Sequence, residues 1–171
     1  MNFFQLTLTA GIATMAFALS SCDDAQSDVS ATFDANVATV ALAFADFQAE
    51  DEHFFTHFSE DAYWAGTSLN APDSIALADV APMYRELWGK YDYTLIAEPN
   101  FLPGVNPESK ETDGSVRGYF KWNITKPATD STEQKSVDVK IYESFDFDAN
   151  GKVDWTQVYA NMQAAYASLE D

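Results

Sequence analysis

Two runs of the sequence alternate too regularly to be anything but strands. In "SVRGYFKWNIT" (115–125), Val116, Phe120, Trp122 and Ile124 share one parity, and Arg117, Tyr119, Lys121 and Asn123 share the other. In "KSVDVKIYESFDF" (135–147), Val137, Val139, Ile141, Phe145 and Phe147 again fall on one side. Successive side chains of an extended chain point to opposite faces, so each run predicts a strand with one apolar and one wetted face. Such a sheet needs a cover for its apolar side. The cover is predicted from two helical stripes, Val37, Val40, Ala41, Phe44 and Phe47, and then Val80, Met83, Tyr84, Leu87, Trp88 and Tyr91 in "VAPMYRELWGKY". Pro82 fits the second helix if Asp79 is its cap, because a first turn tolerates proline.

Between these elements the sequence predicts a short helix over 51–58 capped by Asp51, a strand in "DAYWAG" (61–66), and a polar loop over 67–74. A further strand in "YTLIAEPNFL" (93–102) is bent or put at an edge by Pro99. In "FDFDANGKVDW" (145–155), Asp146, Asp148, Asn150, Gly151 and Asp154 fall where a calcium loop places ligands and its glycine. The preceding segment has strand periodicity rather than helical, and Gln157 stands where a bidentate Glu is needed. A hairpin turn with positive φ at Asn150 and Gly151 is therefore expected, with weak calcium binding left open.

The 171 residues, with thirteen Phe, eight Tyr and four Trp, suffice for one domain with a sizeable core. The net charge of -18, from 27 acidic and 9 basic residues, argues against a nucleic-acid partner, whose phosphates are bound through Lys and Arg. Residues 1–21 carry no charged side chain and run into Cys22, the chain's single cysteine, which rules out an internal disulfide. "LSSC" (19–22) resembles the lipobox of bacterial lipoproteins. That resemblance implies a signal peptide over 1–21, lipidation of Cys22, and a membrane partner reached only through the lipid anchor. The implied location is the cell envelope, on the outer side of a bacterial membrane, periplasmic or at the surface, with simple secretion as the alternative. Residues 22–33 read as an acidic, solvated tether, and the domain proper spans 34–171.

Helix, helix, strand, helix and then consecutive strands is an order that resembles the nuclear transport factor 2-like superfamily, in particular its SnoaL-like branch. The resemblance is carried by "FSEDAYW" (58–64), the stripe from Val80 to Tyr91, and the hairpin "FDFDANGKVDW". It implies an α+β fold, a conical curved mixed or antiparallel sheet wrapped around N-terminal helices, with a pocket open at one end. Known members include ketosteroid isomerase, polyketide cyclases and many proteins with no known catalysis, so the fold does not choose a function.

Glu143 is the one carboxylate whose parity puts it among Val139, Ile141 and Phe145. Desolvation there raises a carboxyl pKa toward neutrality, unless Arg117 or Lys121 pairs with it at the rim. Its place also matches a protonated Asp in the oxyanion hole of ketosteroid isomerase. The resemblance puts that enzyme's general base near Ala65 or Gly66, where this chain has no carboxylate. His57 and Tyr63 are the remaining acid–base candidates, and Trp64, Trp88, Trp122 and Tyr159 are expected to line the pocket and contact a ligand. His53 and His57 are spaced as paired metal ligands, but no Glu stands between them as in HExxH and the chain has no other histidine, so a complete site needs carboxylates brought from elsewhere and no metal is expected. No P-loop, dinucleotide fingerprint or serine elbow is present, so no cofactor is expected. The expected function is binding of a small hydrophobic molecule. The alternative is an acid–base isomerase, lyase or cyclase using Glu143. A homodimer through the outer sheet face is a third expectation.

Overall fold

The computed structural model describes residues 21–170, with side chains from Asp28 onward. Its elements are α1 (Ser21–Gln48), a 3-10 helix (Glu52–His57), β1 (Phe58–Gly66), β2 (Ile75–Ala76) and α2 (Leu77–Trp88). They continue with β3 (Asp92–Leu95), β4 (Asn100–Val105), β5 (Thr112–Lys126), β6 (Lys135–Phe147), β7 (Val153–Tyr159) and α3 (Met162–Glu170). Residues 1–20, nearly all of the signal peptide expected over 1–21, lie outside the described residues, as does the side chain of Cys22. Among the described residues no helix is long and apolar enough to cross a membrane.

The strands form one sheet in the order β2-β1-β7-β6-β5-β3, with β4 also on β5. All pairs are antiparallel except β1 with β7. β3 and β4 lie end to end along one edge of β5: Leu95 faces Trp122, and Asn100 faces Tyr119. The expected strand 93–102 is thus interrupted over 96–99 at Pro99, which has no N–H for a ladder. Irregularities in register between Phe58 and Tyr63, Pro103 and Val105, and Asp146 and Phe147 add local twist, which curves the sheet.

The concave face carries the parity set read from the sequence: Val116, Phe120, Trp122, Ile124, Val139, Ile141 and Phe145 are buried. α1 crosses this face with Val40, Ala43 and Phe44 buried against it. Ala41, expected in the stripe, is exposed, and Ala43 takes its place. Phe44 sits at the centre, its ring 4.6 Å from Phe120, 5.7 Å from Trp122 and 6.0 Å from Phe145. Near the other end of α1, Asn36 Nδ2 donates to the Gly114 carbonyl at 2.9 Å, which pins the helix to the start of β5.

Four local expectations need correction. Residues 22–33 continue α1 as helix rather than forming a tether; no Gly or Pro interrupts 21–48, and a helix nucleated by its packed half propagates until something stops it. α2 starts at Leu77 with Ala76 as its N-cap, so Asp79 lies within the first turn and Pro82 beyond it. The β2 pairing of Ile75 and Ala76 with Trp64 and Tyr63 sets that earlier entry. In the hairpin only Gly151 has positive φ, +73°. The Asp148 carbonyl accepts from Gly151 N, and the Asp148 carboxylate accepts from the backbone N–H of Asn150 and Lys152, giving a type I turn followed by a left-handed glycine. Finally, residues 162–170, given no element from the sequence, form α3. It buries Ala165 and Leu169 and packs on β6.

Asp51 does cap the 3-10 helix, accepting from His53 N at 2.8 Å. Arg85 then clamps α2 to that helix through two hydrogen bonds to Glu52, its guanidinium 4.9 Å from the Phe55 ring centre.

Candidate functional site

Between the concave sheet face, α2 and α3 lies a cavity of about 300 Å³. Ile75, Val80, Leu87, Ile141, Val158 and Met162 give it an apolar wall, and Ala65 and Gly66 of β1 border it without a carboxylate. A smaller void of about 60 Å³ adjoins it beneath α1, sharing Phe47, Trp64, Tyr84, Trp122 and Glu143 with the larger space. Cavities of this size and character suit small apolar molecules oriented by a few polar groups.

Glu143 supplies the ionisable group. β6 alternation turns it inward between Ile141 and Phe145, with Gly118 and Val158 as its neighbours across the sheet. Its Oε1 accepts a hydrogen bond from Thr156 Oγ1 at 2.6 Å. The surface it keeps borders the cavity, where desolvation pushes its pKa up to about 7, against the opposing effect of the Thr156 hydroxyl. Neither nearby cation reaches it: Arg117 pairs with Asp146 at 3.0 Å and Lys121 with Asp138 at 3.4 Å, on the outer face. A carboxyl with that pKa exists in both protonation states at neutral pH, so it can donate a hydrogen bond, or give or take a proton.

The other polar groups on the wall are tyrosines. Burial, followed by the nearby charge of Glu143, holds the Tyr84 hydroxyl far above its ordinary range, so it is a neutral donor. Tyr93 and Tyr166 share a hydroxyl–hydroxyl hydrogen bond of 2.9 Å where α3 closes over the cavity. The sequence reading assigned none of these three to the site. Tyr84 was visible only as part of a helical stripe, and Tyr166 belongs to an element that went unassigned.

The structure brings Glu143, Trp64 and Trp122 together at the cavity and separates the other expected residues from it. Tyr63 and Tyr159 are exposed, 43% and 46%, on the outer sheet face. Tyr63 precedes Trp64 in β1, and strand alternation sends its side chain to the other face of the sheet. Trp88 is core, packed on Phe47, Phe54 and Phe55, with its indole N–H unpartnered among the described residues. His57 turns away from the cavity toward α1, where its Nε2 lies 2.7 Å from Asp46 Oδ2. At the hairpin two of the expected calcium donors are already engaged. Asp148 is committed to its own turn, and Asp146 to Arg117.

No protein-family model matches the chain, and no curated protein matches it in sequence. Solved structures do. A nuclear transport factor 2-like protein from Burkholderia xenovorans superposes with a TM-score of 0.57 at 13% identity, covering 81% of this chain and 97% of its own. The chain has the nuclear transport factor 2-like fold. Bal32a, from a soil-derived mobile gene cassette, gives a TM-score of 0.57 at 21% identity, covering 81% of this chain and 98% of its own. A candidate SnoaL-like polyketide cyclase from Shewanella denitrificans gives 0.55 at 8% identity, over 79% and 96%. At such identities the likeness extends to the nuclear transport factor 2-like fold and its SnoaL-like variants, and to no shared chemistry.

Proposed function

We propose that this domain binds a small, neutral, largely apolar molecule in the cavity beneath α2 and α3, oriented by one hydrogen bond to Glu143. The observation that carries this reading is an apolar space of about 300 Å³ whose lining includes one carboxyl near its own midpoint of titration at neutral pH. A molecule bearing a carbonyl would accept from the protonated form, and one bearing a hydroxyl would donate to the ionised form. The test is a thermal-shift screen of small apolar carbonyl and hydroxyl compounds against the full chain. Ligand at about 100 times its Kd stabilises by about 2.7 kcal/mol, a readily measured rise in Tm. A screen in which no compound raises Tm, or in which every hit is unaffected by Glu143→Gln, counts against it.

A second reading, acid–base isomerisation, elimination or cyclisation by Glu143, is favoured by that same pKa near 7, which suits proton transfer at neutral pH. Several solved structures of this fold bear names of candidate polyketide cyclases, and another that of a candidate isomerase. Conversion of a bound compound that stops in Glu143→Gln while binding persists would establish it.

The same proposal puts the domain outside the cell on a lipid anchor at Cys22, supported by the uncharged leader and the single cysteine. Incorporation of an alkyne-tagged fatty acid that vanishes in Cys22→Ser tests this. Self-association through the outer sheet face is supported by the row Tyr119, Tyr142 and Tyr159, of which Tyr119 and Tyr159 are exposed. Monomeric sedimentation at every accessible concentration would remove it.

A further inference from the structure

Where α1 ends and the 3-10 helix begins, three side chains converge that the cavity does not use. The chain has two histidines, His53 and His57, and both turn onto the carboxylate of Asp46. Asp46 Oδ2 lies 2.8 Å from His53 Nδ1 and 2.7 Å from His57 Nε2, and the donor atoms of all three residues fall within 4.8 Å of one another. Residues three apart eclipse on a 3-10 helix, so His57 sits about a third of a turn on from His53. The two rings therefore stand at 89°, with centres 5.0 Å apart. Their nitrogens approach one point from two directions instead of lying side by side.

We propose that Asp46, His53 and His57 form a site for one divalent transition-metal ion of the zinc type. Two imidazoles and a carboxylate suit zinc and its neighbours, whereas magnesium and calcium favour oxygen donors. Bond lengths of about 2.0–2.2 Å put tetrahedral donors about 3.3 Å apart. The two separations from Asp46 need to open by about half an ångström and the two histidine nitrogens, now within 4.8 Å of each other, need to draw closer, which takes small rotations of all three side chains. His57 and Asp46, 11% and 25% exposed, hold the inner side, while His53, 63% exposed, leaves the fourth position toward solvent for a water. The strongly acidic chain raises the local concentration of cations around such a site.

The ion would staple the end of α1 to the 3-10 helix. Phe47 and Phe54, the chain neighbours of Asp46 and His53, both line the void that adjoins the cavity. Metal occupancy thus stiffens one wall of the binding space, independently of which molecule fills it.

The test titrates the full chain, freed of metal by a chelator, with zinc chloride by calorimetry, and with cobalt chloride by visible absorption. One equivalent of zinc is expected to bind and to raise Tm in a way that magnesium does not. Cobalt is expected to give the intense d–d bands of a four-coordinate ion. His53→Ala and Asp46→Asn are each expected to weaken zinc by about tenfold or more. His53 is exposed enough that its variant folds even if changes at His57 do not. Absence of a one-to-one event, or an affinity unchanged in both variants, overturns the site and leaves a hydrogen-bonded cluster only.

Discussion

Replacing Glu143 by Gln should change how stability depends on pH more than it changes stability itself. In the folded chain the carboxyl titrates near 7, against an ordinary 4.5. Folding therefore holds the proton more tightly than the unfolded chain does. Below about pH 4.5 both states are protonated and the native state bears no cost. As pH rises from 4.5 toward 7 the unfolded state ionises first, and stability falls by about 1.4 kcal/mol per pH step until it levels off above 7. The gap amounts to about 3 kcal/mol in full, most of which falls between about pH 5 and pH 8.5, clear of the sequence pI of about 4.1. Gln keeps the shape and can still accept from Thr156 Oγ1, but does not ionise. The assay is urea unfolding of both proteins at matched pH values, taken as a difference so that the other carboxylates cancel. The Glu143→Gln variant should gain about 2–3 kcal/mol on wild type across that window. A difference flat to within about 0.5 kcal/mol would mean that the carboxyl is solvated, and the reasoning about the cavity's electrostatics would fail.

Other outcomes follow from packing and backbone geometry. Phe44→Ala, which empties the point where α1 meets Phe120, Trp122 and Phe145, should cost about 3–5 kcal/mol in urea unfolding. Leu169→Ala should cost about 2–5 kcal/mol and loosen α3, raising amide exchange there ahead of β5 and β6. Gly151→Ala should cost about 1–2 kcal/mol because φ is +73°, while millimolar calcium leaves Tm unchanged.

The strict alternation in β5 and β6 made the sheet, its buried face and the position of Glu143 legible, because parity alone decides which way a strand residue points. Pro99 announced a bend or an edge position, but not the break that separates β3 from β4. The turn type was not legible in the same way: Asn-Gly suggested two positive φ angles, but the Asp148 carboxylate bonds the loop and leaves one. α3 carried a readable signal in Met162, Ala165, Tyr166 and Leu169 at helical spacing, and with it Tyr166 at the cavity. Tyr63 could have been excluded by the parity that admitted Trp64, and Tyr159 by strand alternation against Val158, which the structure puts at the cavity. What no local pattern contains is distance. Asp46 meets His53 and His57 because the chain reverses after α1, and Glu143 escapes Arg117 and Lys121 because they occupy the opposite face of the sheet.

The most direct test of the binding reading uses Trp64 and Trp122, whose indoles line the cavity, as reporters of what enters it. Their fluorescence would be followed while an apolar carbonyl compound taken from the thermal-shift screen is titrated into wild type and into Val158→Phe, which fills the space beside Glu143. Saturable quenching in wild type, weakened about tenfold or more in the filled variant, is the predicted result. Equal affinity in both proteins would contradict it and send the ligand, and the function, elsewhere on the molecule.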